Sequence, residues 1–413
     1  MDAQVPDTVI GLNPFEPGFY DNPYGQYAAL QANDPVHKSA LGPWLVTRWD
    51  DVHAVLRKPG TSVEERNIDR DGPSRRQQIA DLVDGRQAER SLAILNIDPP
   101  DHTRIRRLVS KAFTPRSVER IRLRTSTLVD EILDDLAASD EPVDIISGLA
   151  FPLPFTVISE MLGMPDGDRD QLRTWSHTVT QVLDPILVFQ HAEAIFEASD
   201  NMRRVVADAV AWKRSRGDEG DLLSALIAAE DDGDTLSDRE LVENVVLLYL
   251  AGHETTVNLI GNGVNALLAN PDQMARLAAD PSLDANATEE LLRYDSPVQF
   301  SRRIALEPIE IQEFVVQPGE LIMTGLGAAN RDPRKFGPTA GHLDIGRPDA
   351  REHVSFGSGV HHCLGAALAR LEGQEAIGRL VRRFPDMTAS GPPIHNGRLV
   401  LRGLDELPVS LHG

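Results

Sequence analysis

The sequence predicts a mainly α fold with a minor β region, organised as a single domain over residues 1–413. Three observations carry that prediction. Apolar residues recur at helical spacing through most of the stretch from Pro99 to Ala269. One helix candidate within it, Ser237 to Asn270, is long enough to cross a whole domain. Short alternating runs are confined mainly to Arg302–Met323. No repeat, low-complexity tract or flexible linker interrupts the chain, so one continuous core is expected.

Taken in order, the elements follow from local chemistry. Up to Gly60 the chain mixes turns with short pieces: Trp44–Arg48 reads as a strand, and Trp49–Arg57 as a helix stopped by Pro59-Gly60. Ser62 to Arg90 is polar, rich in Arg and Asp and without a clean period, which predicts an irregular connection or a lid. Val118, Ile121, Leu128, Ile132 and Leu136 share one helical face. Ser237 and Glu240 form a capping-box pattern that opens the long helix, and Asn270-Pro271 ends it. At 1.5 Å per residue it spans roughly 50 Å. Its middle, Val245–Ala251, is apolar nearly all round, which predicts burial. Thr288–Tyr294 reads as helix, and Arg302–Met323, broken by Glu307-Pro308 and Pro318-Gly319, as short strands. Ala366–Phe384 returns to helix, and Arg398–Leu411 reads as a terminal hairpin.

Composition narrows the function classes. The chain has 41 Lys+Arg against 63 Asp+Glu, a net charge of −22. Such a surface repels phosphate backbones and anionic lipid, so neither nucleic acid nor membrane is expected as a partner. Met1–Pro14 lacks the basic and apolar run of a leader, and no stretch approaches the roughly 20 apolar residues of a membrane span, which predicts a cytoplasmic protein. The single cysteine excludes an intrachain disulfide and any multi-cysteine zinc or iron–sulfur site.

Four segments carry candidate chemistry. The first is Phe356-Gly-Ser-Gly-Val-His-His-Cys-Leu-Gly365: its glycines permit a tight turn and close approach of backbone to a flat ligand. Cys363 sits at the mouth of the next helix, whose positive end would favour a thiolate. The second, Ala251-Gly-His-Glu-Thr-Thr256, lies in the long helix. A helical Thr can bond back four residues and loosen the ladder, Gly252 leaves room for a flat group, and a carboxylate beside a hydroxyl can relay protons. His253-Glu254 begins like a zinc-protease motif, but Val257 stands where the second His would be. The third is Glu290-Leu-Leu-Arg293, which by itself reads as a common surface pair. The fourth is Asp98-Pro-Pro-Asp-His-Thr-Arg-Ile-Arg-Arg107, where His102 and Arg106 share a face and suit a carboxylate. Gly325-Leu-Gly327 lacks the third glycine of a dinucleotide loop, and Glu230–Asp234 reads as a solvated acidic loop rather than a calcium site.

Phe, Gly, a basic residue, Cys and Gly at 356, 359, 361, 363 and 365 resemble the haem-binding loop of cytochromes P-450, and the other segments resemble the family in its order. The resemblance covers essentially the whole chain. It implies a cytochrome P-450-like fold with the long helix over the haem, and heme b (iron protoporphyrin IX) with its iron ligated by Cys363. It implies further that Phe356 shields the sulfur, that Gly365 is among the haem-binding residues, and that His102, Arg106, Arg303 and His361 bind the propionates. Glu290 and Arg293 would lock to Arg347 and support the loop. Glu254 and Thr255 would supply protons, with Leu250, Ala251, Gln299 and Val400 lining a largely apolar substrate pocket in which Gln299 is the polar handle.

The implied activity is insertion of one atom of O2 into a small apolar organic substrate, the other leaving as water. Electrons would come from a separate ferredoxin and NAD(P)H-dependent ferredoxin reductase, docked near a basic patch of Arg104, Arg107 and Lys111. A peroxide-driven peroxygenase and a haem-binding sensor or carrier without turnover are the alternatives. Neither needs a proton relay, so the Glu254-Thr255 pair favours the oxygenase. With carbon monoxide the reduced protein is expected to give the strongly red-shifted Soret band of a thiolate-ligated haem. Cys363→Ser should abolish it, and persistence of the band would overturn the ligand assignment.

Overall fold

The computed structural model describes residues 11–39, 42–69, 78, 81, 91–164, 169–217, 220–231 and 233–412. Most of the Ser62–Arg90 stretch, read above as a lid, lies outside them. The described helices of nine residues or more are α1 (Tyr24–Asn33), α2 (Trp49–Arg57), α3 (Asp101–Ala112), α4 (Pro115–Ala137), α5 (Pro152–Leu162) and α6 (Arg169–Thr180). They continue as α7 (Ala192–Arg216), α8 (Asp238–Leu268), α9 (Pro271–Ala279), α10 (Asp284–Tyr294) and α11 (Ala366–Arg383). None is long and apolar enough to cross a membrane.

The axis of the fold is α8. Both halves of its capping box are formed: the Ser237 hydroxyl accepts from the Glu240 N–H, and the Glu240 carboxylate accepts from the Ser237 N–H. Pro271 opens the next helix and prevents continuation. Around α8 pack α5, α7 and α11, and their apolar faces form one large core with α4. The stripe read from α4 serves that core: Val118, Leu128, Ile132 and Leu136 are buried, and Ile121 is partly so.

The apolar middle of α8 is covered by protein over part of its circumference. Val245, Tyr249 and Leu250 are buried, but Val246 to Leu248 are half-buried and Ala251 is exposed. Packing helices cover only part of the circumference, so a stripe through Ala251 and, one turn on, Thr255 stays open. Gly252 also has a different role from the one anticipated. A Cβ there would lie 2.8 Å from Ile158 Cγ1, so the missing side chain admits α5 against α8 rather than a flat ligand.

The minor sheet gathers β1 (Val36–Lys38), β2 (Trp44–Val46), β3 (Thr61–Ser62), β4 (Phe300–Ala305) and β5 (Leu321–Gly325) in the order β1-β2-β5-β4-β3. Only β2 and β5 run parallel. Residues two apart share a face, which brings Arg303 beside Ser301 on β4. The terminal hairpin is corrected. Leu404–Glu406 pairs with Ile394–His395, whereas Pro408–Ser410 pairs with Thr388–Ala389 and Val143–Asp144. The last strand therefore takes a partner from far upstream, which local alternation does not encode.

Gly252→Val is expected to destabilise the protein by about 1–3 kcal/mol through overpacking against Ile158, with Ala251→Val on the open stripe costing less. Urea unfolding midpoints of the two variants check the contrast.

Candidate functional site

The loop that presents Cys363 is held by backbone geometry. At Gly359, φ is +73° and a Cβ would lie 2.6 Å from the Leu56 carbonyl oxygen, so only glycine lets the loop rest on the end of α2. The Cys363 N–H donates to the Phe356 carbonyl at 2.9 Å, closing the turn, and Gly365 is the residue from which α11 starts. The Phe356 ring lies under the Arg370 guanidinium, 4.5 Å from its centroid. Cys363 presents exposed surface, while protein atoms surround its sulfur. Burial pushes the thiol pKa up and outweighs the Gly365 N–H, Arg106 and Arg370, which favour the anion. The expected thiolate is thus not secured by the helix end. A cation at the sulfur is what would tip the balance, and that suits an iron ligand.

Beneath the loop is a buried charge cluster. Glu290 and Arg293 are both fully buried and meet fork to fork, Nε to Oε2 at 2.7 Å and Nη2 to Oε1 at 2.8 Å. The Arg347 Nε reaches Oε1 at 3.2 Å, and the Asp344 N–H donates to the same oxygen. The remaining guanidinium N–H groups donate to the carbonyls of Asn330, Ala340, His342, Phe336 and Thr339. The surface-pair reading of Glu290 and Arg293 is therefore overturned: both belong to the interior.

Sequence reasoning missed a second layer. Asn330 accepts from the Val354 N–H and donates to the Ser355 hydroxyl, which donates to the Leu292 carbonyl. The Ser355 N–H donates to His353 Nδ1, so the His353 proton sits on Nε2 and is donated to Glu289 at 3.0 Å. Burial raises the Glu289 pKa, but His353 and Arg370 outweigh it and hold it at about 2. No spacing rule marks these residues. Glu289, adjacent to Glu290 on a short amphipathic helix, was the only available signal.

The four basic residues assigned to propionates come together. His102 is buried and its ring stands 4.3 Å from that of His361. Arg106, one turn along α3, donates to the His362 carbonyl at 2.6 Å, and Arg303 arrives from β4. Burial, then His102, Arg303 and Arg106, push the His361 pKa down to about 3. Burial likewise lowers Arg303 to about 10 against the pull of Asp98. Asp98 is already engaged by the Ser62 hydroxyl and the Val63 N–H. Both ring nitrogens of His102 are buried without a partner. Two guanidinium groups beside a buried imidazole with two orphaned nitrogens fit a ligand bearing carboxylates, as haem does.

On α8, the Thr255 hydroxyl bonds back to the Ala251 carbonyl at 3.0 Å, as a helical Thr does. Glu254 points elsewhere, into a polar groove of about 340 Å³ that includes Arg173, His177, Arg398 and Asp405. Burial raises its pKa, opposed by Arg398, His177 and Arg173. The acid thus faces the groove and the alcohol the open stripe.

Two expectations are corrected. Gln299 is buried; its amide N–H groups go to the Ser296 carbonyl at 2.6 Å and Tyr24, and its oxygen, buried without a partner, packs against Gly327, so it is no exposed handle. Leu250 and Val400 are buried as well, leaving Ala251 as the exposed member of that set. Arg104 is tied to Glu240 and Asp234 at the start of α8 and does not contribute to a docking patch, while Arg107 and Lys111 are exposed.

Comparison with known proteins bears on the whole chain. The family model described as Cytochrome P450 matches residues 51–280 and 283–400. Cytochrome P450 107B1 of Saccharopolyspora erythraea is 42% identical, over 98% of this chain and 98% of its own. Vitamin D(3) 25-hydroxylase of Pseudonocardia autotrophica is 41% identical, over 96% of each. Among solved structures, the bacillaene polyketide synthase cytochrome P450 PksS of Bacillus subtilis superposes with a TM-score of 0.85 at 36% identity, covering 98% of this chain and all of that one.

Glu290→Gln is expected to cost about 3–5 kcal/mol, because it leaves two buried guanidinium groups short of a counter-charge. Thermal denaturation measures the loss. Glu289 contributes stability that is full above its unfolded pKa of 4.5 and is lost as pH falls toward 2. Glu289→Gln should flatten the stability–pH slope across that window.

Proposed function

This chain belongs to the cytochrome P450 family and is a monooxygenase using haem b on a cysteine thiolate, and from that premise we propose that Cys363, its only cysteine, ligates the iron. His102, Arg106, Arg303 and His361 would hold the propionates, which would partner the His102 ring, whose two nitrogens are buried without one. When bound, the haem supplies dioxygen binding and the oxidising power; protons and positioning come from the chain.

The observation that carries the reading is the division of labour at Glu254 and Thr255. Glu254 exchanges protons with water in the groove, and burial raises its pKa against the pull of Arg398, His177 and Arg173. The Thr255 hydroxyl, anchored on the Ala251 carbonyl, presents its oxygen along the open stripe of α8. A sensor or carrier has no use for such a pair. Glu290, Arg293 and Arg347 act as structural support, and residues 1–413 as one domain.

The substrate is a largely apolar organic molecule bound against the Ala251 stripe. Relatives named for vitamin D(3) 25-hydroxylation and for a polyketide synthase favour an acceptor of the secosteroid or polyketide class. Electrons come from a ferredoxin and its reductase, docking on the face beside the cysteine loop, where Arg57, exposed Val360 and His362 border a shallow recess.

Polyketide and secosteroid candidates ranked by the spin-state shift they induce should identify a substrate. With it, turnover is expected from ferredoxin, reductase and NAD(P)H. Glu254→Gln or Thr255→Ala should cut product by about 10²-fold or more while NAD(P)H oxidation continues and hydrogen peroxide accumulates. Full turnover on added peroxide with no loss in either variant would support a peroxygenase instead.

A further inference from the structure

His253 stands beside the proton-carrying residue and has no role in the reading above. It is completely buried, edge-on to Phe155 and Tyr249. Its Nδ1 lies 2.7 Å from the Tyr249 carbonyl oxygen, which can only accept, so the ring proton resides on Nδ1. Nε2 is then a bare lone pair. It is buried and without a partner, and it lies 3.7 Å from Glu254 Oε1. On the other side of the carboxyl, Arg398 Nη1 lies 3.9 Å from Oε2. Arg398 cannot follow the carboxyl, because its guanidinium is pinned to the Thr180 hydroxyl at 2.8 Å and the His177 carbonyl at 2.9 Å.

Glu254 therefore sits between two fixed poles with opposite demands. Arg398 attracts the ionised carboxylate. Nε2 of His253 accepts only from a carboxyl that carries a proton, and burial holds the imidazole pKa down to about 4, so the ring stays neutral. The other charged groups facing Glu254 are Arg173 and His177 from α6 and Asp405 from the C-terminal segment. None of them offers a buried acceptor of this kind.

We propose that His253 is a positioning residue for Glu254, its Nε2 accepting the hydrogen bond of the protonated carboxyl while Arg398 receives the ionised one. Uptake of a proton from groove water on Oε1 turns the carboxyl from the arginine toward the imidazole, and release reverses the turn. The pair thereby stores one proton at a defined atom beside Thr255. This inference rests on the reading of Glu254 as the proton carrier.

Infrared titration of the haem-loaded full-length protein tests it, with the Glu254 carboxyl band assigned by its loss in Glu254→Gln. His253→Phe keeps the aromatic packing and removes the acceptor. It should lower the Glu254 midpoint by about half to one pH unit, because a hydrogen bond to the neutral form is lost. His253→Gln, whose amide oxygen can replace Nε2, should restore most of the shift, and Arg398→Gln should move the midpoint up. An unmoved midpoint in His253→Phe, or an equal shift in His253→Gln, overturns the proposal. Nitrogen-15 spectra of the reduced, carbon monoxide-bound native protein give a second reading that needs no His253 variant. Nε2 should be unprotonated and should follow the Glu254 titration, and an Nε2–H tautomer overturns the proposal. Undiminished product per NAD(P)H in Glu254→Gln would instead remove the carrier reading, whatever the infrared result.

Discussion

The scaffold behind the cysteine loop depends on one buried carboxylate, Glu290, shared between Arg293 and Arg347. Removing three charges from water costs several kcal/mol per ion, so such a cluster endures only if every donor finds an acceptor. Here they do. The spare guanidinium N–H groups are given to carbonyls of residues 330–342, a stretch of one short helix, Pro333–Phe336, and turns. The two arginines thus do for irregular chain what a sheet does for strands. Arg293 also grips the Asn330 carbonyl, and Asn330 holds Val354 and Ser355, so the cluster reaches the loop through one intermediary.

The same economy governs the two sides of the site. The chain carries a net charge of −22, yet the residues converging near Cys363 are His102, Arg106, Arg303 and His361. Local sign is set by which side chains the fold turns inward, and the surface total gives no hint of it. On α8 the sign is mixed. Glu254 meets Arg173, His177 and Arg398 along the groove, while its neighbour Thr255 faces the open stripe. Adjacent helical residues point about 100° apart, so one helix can separate proton supply from proton use without any change in its backbone.

Much of this was legible in the chain. The capping box, the Pro271 stop, the apolar stripe of α4 and the range of α2 all rest on neighbours within a few residues, and each is present as read. The glycine-framed loop was legible because Gly359 answers a local demand, a positive φ under a neighbouring backbone. Less visible were features whose meaning depends on a distant partner. By residue type alone Glu290 and Arg293 resemble any surface pair, and only the family resemblance pointed to Arg347. Arg104 looks like a free cation until Glu240 takes it, and Gln299 looks like a pocket handle until Ser296 and Tyr24 use its amide.

By itself, the sequence determined the helical framework, the family, and the identity of the one possible thiolate. Each of these is carried by residue type and spacing along the chain. Tertiary structure alone decided which face of α8 stays open, that Gly252 serves helix packing, that burial opposes the thiolate, and that His253 offers Glu254 a bare nitrogen. Those properties are set by dielectric surroundings and by contacts across long separations in the chain, and a side chain's charge or tautomer is fixed only once its neighbours are in place.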